Sequence, residues 1–153
     1  MSLIYKFKKE KLENGGYVYR PRILVVLNGN ESSIEIPALV DSGCDTTVIP
    51  EGLAKAVGIP IKGKKTKLYA YRESNEVIMS STNITFVGKA NRESVTLKIP
   101  ILITLSKNNS EDEQDITLGV DGVFDYFDIT FSKSKNRIIF KKLGNLVNIA
   151  KKE

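Results

Sequence analysis

Apolar positions in this chain recur in short bursts, many at every second residue, and turn-forming residues separate the bursts. Ile4 to Phe7 alternates, Asn14-Gly15-Gly16 supplies a hairpin turn, and Tyr17-Val18-Tyr19 follows it. Beyond Pro21 the aliphatic run Ile23 to Leu27 ends at Asn28-Gly29-Asn30. Ser33 to Glu35 alternates before Ile36 to Val40 becomes continuously apolar. Thr47-Val48-Ile49 reads as a short β-branched strand. Pro50 to Gly58 reads as a short helix, with proline near its start and glycine at its end. Leu68 to Tyr71 and Val77 to Met79 are strand candidates around a polar tip, Arg72 to Glu76. Asn83 to Val87 and Ser94 to Leu105 form a further hairpin turning at Gly88 to Asn91, and Ser106 to Asp115 is a polar, acidic loop. Ile116 to Val120 is a last buried strand and Val123 to Phe127 one helical turn. Asp128 to Phe131 and Arg137 to Phe140 close a final hairpin. Short strands at regular spacing predict an all-β barrel or sandwich with one or two short helices.

The length of 153 residues suits one domain with its own buried core. No linker or repeat divides the chain. Residues 1–153 therefore read as a single domain, with a core over about 22–140, an N-terminal hairpin over 1–20 and a tail over 144–153. Composition then narrows the chemistry. The chain has no histidine, which excludes a Ser-His-Asp triad, a Cys-His pair and imidazole metal ligands. Its single cysteine, Cys44, excludes an internal disulfide and multi-cysteine zinc sites, and no metal or cofactor is expected. Protons must be moved by carboxylates, lysines, tyrosines or hydroxyls.

Charge changes the picture little. The net +5 comes mostly from dispersed lysines, in small clusters at Lys8, Lys9 and Lys11 and at Lys62, Lys64, Lys65 and Lys67. Without an arginine-rich stripe interleaved with aromatics, solvated lysines are expected and a nucleic-acid partner is not. Met1 to Lys8 lacks the apolar run of a signal peptide, and Ile23 to Leu27 is far too short to cross a bilayer. A cytoplasmic protein with no membrane partner is the expectation.

One segment carries chemistry: Ala38-Leu39-Val40-Asp41-Ser42-Gly43-Cys44-Asp45-Thr46-Thr47-Val48-Ile49-Pro50. A carboxylate ending a wholly apolar strand is costly to bury unless it is paired or hydrogen-bonded. Ser42-Gly43 supplies a hydroxyl and a permissive backbone in a tight turn. The plain alternative is an ordinary turn, since Asp-[Ser/Thr]-Gly arises by chance in roughly one chain of this size in fifteen. Aliphatic flanks on both sides are unusual for an exposed turn and point the other way.

Leu39 to Ile49 resembles the active-site loop of the retropepsin-like aspartic proteases, whose pattern is two aliphatics, Asp, Ser or Thr, Gly, a small residue, two variable residues, Thr and two aliphatics. That family has a second element, an apolar strand ending in glycine and followed by a short helix. Ile116-Thr117-Leu118-Gly119-Val120-Asp121-Gly122-Val123-Phe124 is similar to it, so that the resemblance spans roughly Arg22 to Phe140.

The resemblance implies a closed β-barrel of the acid-protease type and an endopeptidase acting on extended polypeptide. Two carboxylates sharing one proton activate water and protonate the carbonyl oxygen. A chain with one Asp-Ser-Gly must gain its second carboxylate from a partner, which implies a homodimer with a two-fold axis beside the catalytic Asp41. Ser42 would hydrogen-bond across that axis and Gly43 would present its backbone to substrate. Asp45 would contact the substrate main chain and Cys44 fill the small position next to substrate, with plain packing as its simpler role. Leu118 and Gly119 form the second motif. Asp121 is a rival partner for Asp41 by position, although the family gives it no catalytic role. Val120 stands where retroviral members have an arginine that pairs with the aspartate corresponding to Asp45; Arg20 or Arg22, from the same or the partner subunit, is the substitute considered. The hairpin Leu68 to Met79 is the candidate flap, with Tyr69 or Tyr71, Ser74 and Asn75 near substrate. A non-catalytic peptide- or protein-binding module on the same dimeric fold is the alternative.

Overall fold

The computed structural model describes residues 1–70, 73–89, 93–105 and 115–144. Strands β1 (Ser2–Tyr5), β2 (Lys8–Lys11) and β3 (Tyr17–Arg20) open the chain. β4 (Arg22–Asn28) and β5 (Ser33–Val40) then form an antiparallel pair, with Ile23 opposite Ala38 and Val25 opposite Ile36. The alternation explains the pair: Ile23, Val25, Leu27, Ile36 and Ala38 are buried, while Leu24 is exposed on the other face. β6 (Thr47–Pro50) leads into helix α1 (Glu51–Val57), which stops at Gly58 and buries Ala54 and Val57. β7 (Lys65–Ala70), β8 (Glu73–Val87), β9 (Ser94–Thr104), β10 (Ile116–Leu118), β11 (Phe127–Ser132) and β12 (Arg137–Lys142) complete the elements among the described residues.

Strand pairing runs β4–β5–β10–β6–β9–β8 and returns from β8 to β4, with β7 extending from β8. From these six strands, Val25, Ile49, Ile84, Ile99, Ile101 and Ile116 belong to one buried core. β10 is short but central: it lies parallel to β5, with Leu118 opposite Val40, and antiparallel to β6, with Thr117 opposite Val48. A second sheet, β1–β12–β11, packs on the same core through Leu3, Ile138 and Phe140. Phe86, Phe127 and Phe140 meet there at centroid distances of 5.3 to 5.8 Å. Such pairs contribute about 0.5–1.5 kcal/mol each beyond their buried area.

Three local differences from the sequence reading have physical causes. The turn at Asn14 to Gly16 joins β2 to β3, whereas β1 pairs with the C-terminal β12. Val77 to Met79 and Asn83 to Val87 belong to one strand of 15 residues, because Ser80 to Asn83 continue the ladder with β9. Its Thr82 hydroxyl donates to the Asn28 carbonyl at 2.8 Å, so a polar run that reads as a break is satisfied inside the sheet. The polar tip is shorter than Arg72 to Glu76, since Glu73 to Glu76 pair with Lys67 to Ala70. The single helical turn expected over Val123 to Phe127 is present as hydrogen-bonded turns, in which the N–H groups of Tyr126 and Phe127 both donate to the Val123 carbonyl at 3.1 Å; Gly122, with φ 78°, precedes it. The acidic loop 106–114, the turn residues 90–92, Tyr71 and Arg72, and the tail from 145 lie outside the described residues.

Candidate active site

β5 delivers Asp41 at its end, and the loop from Asp41 to Thr46 returns into β6. Four hydrogen bonds fasten this loop to the end of β10. The Asp41 N–H donates to the Leu118 carbonyl at 3.0 Å. The N–H groups of Val120 and Asp121 donate to the carbonyls of Cys44 and Asp45, each at 2.8 Å. The Gly119 N–H donates to the buried hydroxyl of Thr47 at 3.0 Å. The two motifs that sequence reading placed far apart are therefore one unit. Gly119 is fixed by this closeness: a Cβ there would lie 2.5 Å from the Thr46 carbonyl carbon.

Within the loop, the Gly43 N–H donates to Asp41 Oδ1 at 2.9 Å, and the Cys44 N–H donates to the Asp41 carbonyl at 3.2 Å. This Asx-type turn gives the half-buried carboxylate a backbone donor and a set orientation. Its other oxygen, Oδ2, has no hydrogen-bond partner among the described residues. Ser42 and Gly43 are exposed beside it. Such a carboxylate can take a proton from water or give one to an oxygen placed against it.

Cys44 is half-buried, with its thiol 3.1 Å from the Thr46 carbonyl oxygen. Burial pushes this thiol above its ordinary range, the Thr46 backbone opposes that rise, and the carboxylates of Asp41 and Asp45 add to it. A thiol kept protonated is a poor nucleophile, which favours packing as its role.

The remaining candidates lie apart from the loop. Asp45 is exposed and forms no ion pair among the described residues. Arg22 does not reach it: its guanidinium binds Asp115 at 2.6 Å and forms an ion pair with Glu10 at 2.5 Å. Arg20 approaches Glu10 at 3.6 Å. The expected substitution of Arg22 for the arginine absent at Val120 is thus not made within the chain. Asp121 exposes its side chain and commits its N–H to Asp45, with no contact to the Asp41 carboxylate. On the candidate flap, Ser74 and Asn75 are exposed in the β7–β8 ladder opposite Tyr69 and Leu68. Tyr69 is 77% exposed, and among the described residues no hydrogen bond joins the hairpin to the loop. Tyr71 lies outside the described residues.

Sequence reading took Thr47 as the threonine of the loop pattern and as a strand former, but gave its hydroxyl no partner; the structure gives it the Gly119 N–H. The available signal was a lone hydroxyl opening an otherwise aliphatic strand. Among the described residues, no group of three or more Cys, Asp or Glu side chains is placed to hold a metal. No described helix is long and apolar enough to cross a membrane.

No protein-family model matches the chain, and no curated protein matches it in sequence. Solved structures do. A retropepsin-like aspartic protease from Rickettsia conorii aligns with a TM-score of 0.55 at 15% identity, covering 92% of each chain. The retroviral protease-like domain of Ddi1 from Leishmania major aligns with a TM-score of 0.51 at 12% identity, covering 82% of this chain and 95% of that one. At such identities the likeness is one of fold, and the fold is retropepsin-like.

Proposed function

We propose that this retropepsin-like chain is an aspartic endopeptidase whose catalytic pair forms from Asp41 and its counterpart in a second copy. The observation that carries the reading is the Asp41 carboxylate, held on one oxygen by Gly43 N–H and braced through the loop's bonds to β10. The ring of strand pairings supports reading the domain as a closed barrel that holds this loop rigidly. Two carboxylates close together cannot both ionise, so one proton is shared between them and titrates with the pair. The ionised member takes a proton from water as its oxygen attacks the scissile carbonyl carbon, and the protonated member gives its proton to the carbonyl oxygen. The carboxyl that took the water's proton then gives it to the amide nitrogen, while a hydroxyl of the diol returns a proton to the other carboxylate. The C–N bond breaks, an amine and a carboxylic acid are released, and the shared proton is restored. Substrate binds as an added strand, with Asp45 at its main chain, Cys44 at the pocket wall and the β7–β8 hairpin over it. Exposed Ser42 is free to bond across the two-fold axis, and Arg20, less tightly held than Arg22, is the cation left to brace the partner's loop.

The second reading, a peptide-binding module without catalysis, draws on Val120 in place of the arginine of retroviral members. Cleavage of unfolded protein substrates across about pH 3 to 7, where a coupled carboxylate pair titrates, separates the two. Activity with a mildly acidic maximum, lost in Asp41→Asn while the dimer persists by sedimentation, is the expected result. Cleavage retained in Asp41→Asn overturns the assignment, and a strict monomer removes the mechanism.

A further inference from the structure

The outer face of the β4–β5 pair is not covered by the second sheet. Leu24 remains 52% exposed there, and Ile4 of β1 is 50% exposed. A groove of about 1460 Å³ is lined by both residues, with Val26 and Pro37 extending its aliphatic floor. Around that floor stand Lys6, Lys8, Lys89, Lys135 and Arg137. None of these five cations forms an ion pair with a described residue. The acidic residues in the lining are Glu35 and Glu93, so the groove is strongly cationic. No residue from Asp41 to Asp45, and neither Leu118 nor Gly119, lines it.

Its walls also carry unused backbone. β1 is the outer strand of its sheet, with β12 on one side and no described strand on the other. At the start of β4, Arg22 to Leu24 pair with β5, while β8 takes only Val25 to Asn28. An open strand edge recruits extended chain by main-chain hydrogen bonding, and side-chain pockets then select the sequence.

We propose that this groove docks an acidic, extended polypeptide segment, added as a strand on the free edge of β1. Its aliphatic side chains rest on Ile4 and Leu24, and its carboxylates lie among the five cations. Alternation along a strand places those two sets on opposite faces, which matches a groove with an apolar floor and a cationic rim. A single-stranded nucleic acid would share the charge preference, but it stacks on exposed aromatic rings. The aromatic residue in this lining is Tyr5, which is half-buried and packed edge-on against Phe140 at 5.3 Å. The binding does not depend on the peptidase reading, because Asp41 takes no part in it.

The test uses the full chain carrying Asp41→Asn, so that nothing is cleaved, and follows fluorescence anisotropy of a labelled peptide of about ten residues alternating Glu and Val. Saturable binding is expected, weakening as salt rises. The Kd should rise about tenfold or more in Lys135→Glu/Arg137→Glu, and likewise in Lys6→Glu/Lys89→Glu. Two separate pairs are used so that a variant with a lowered melting temperature can be set aside for the other. A peptide N-methylated at alternate residues should lose most of the affinity, since it cannot complete the ladder. Equal binding of a Lys-Val peptide, or an unchanged Kd in a folded charge-reversal variant, overturns the charge assignment. Undiminished binding of the N-methylated peptide overturns the strand addition. Oligothymidylate binding more tightly than the peptide replaces the proposed partner with nucleic acid.

Discussion

Replacing Thr47 with valine removes a hydroxyl and almost no volume. Thr47 is fully buried, and its oxygen accepts the N–H of Gly119, which is also buried, at 3.0 Å. Valine leaves that donor enclosed without an acceptor, which costs about 1–3 kcal/mol. The added methyl offsets about 0.8 kcal/mol of this through apolar burial. The net loss is then about 0.2–2.2 kcal/mol, and at about 2–4 °C per kcal/mol for a chain of this size the melting temperature falls by up to about 9 °C. Serine is the control, since it keeps the hydroxyl and loses only the methyl, at about 1 kcal/mol. Melting alone separates the two poorly, so amide hydrogen exchange at Gly119 is the decisive assay. Exchange there should accelerate in Thr47→Val beyond the change in global stability and follow global stability in Thr47→Ser. Equal protection of that amide in both variants would refute the claim that this bond ties Gly119 to the start of β6.

Gly119→Ala sets a methyl 2.5 Å from the Thr46 carbonyl carbon. Since the obstacle is backbone, denaturant unfolding should show a loss of about 2–3 kcal/mol, and turnover should fall with it if the peptidase reading holds. Cys44, its thiol raised by burial, should react with iodoacetamide more slowly than a free cysteine at neutral pH. The rate should climb only as pH passes above the ordinary thiol range, and urea should restore free-cysteine kinetics; mass spectrometry reads both. Glu10→Gln withdraws the carboxylate shared by Arg20 and Arg22. Arg22 has a side chain only 14% exposed, so the melting temperature should drop by about 2–4 °C, with faster proteolytic nicking near Gly15.

The strands most legible in the sequence were those with one face in the core. Ile23 to Leu27 is an aliphatic run of strand length and Ser33 to Val40 passes from alternating to continuously apolar, and β4 and β5 follow them closely. The Asp41 loop was legible for a related reason, since aliphatics on both sides of a turn require that turn to sit against the interior. Pairing between distant segments was not. Nothing local in Ser2 to Tyr5 says that its partner is Arg137 to Lys142, because register is decided by the core that both ends help to build. Ser80 to Thr82 misled for the opposite reason: their hydroxyls look like a break, yet the β9 ladder runs through them and the Thr82 hydroxyl bonds the Asn28 carbonyl. The ion pairs of Arg22 with Glu10 and Asp115 also depend on tertiary approach, which is why Asp45 was offered a partner already engaged elsewhere.

The continuity of β8 has a mechanical consequence. From Val77 onward it is gripped by β9, and from Asn83 to Phe86 by β4 as well, whereas Glu73 to Asn75 pair with β7 alone. The hairpin is therefore a cantilever with its clamp at Val77 and Glu73 to Asn75, paired with β7, as its outer arm. A strand advances about 3.3 Å per residue, so adding two residues to each arm extends the reach by about 6.6 Å without touching a core contact. Reach and stability are set by separate stretches of one strand, and the outer arm can change length while the clamp stays as it is.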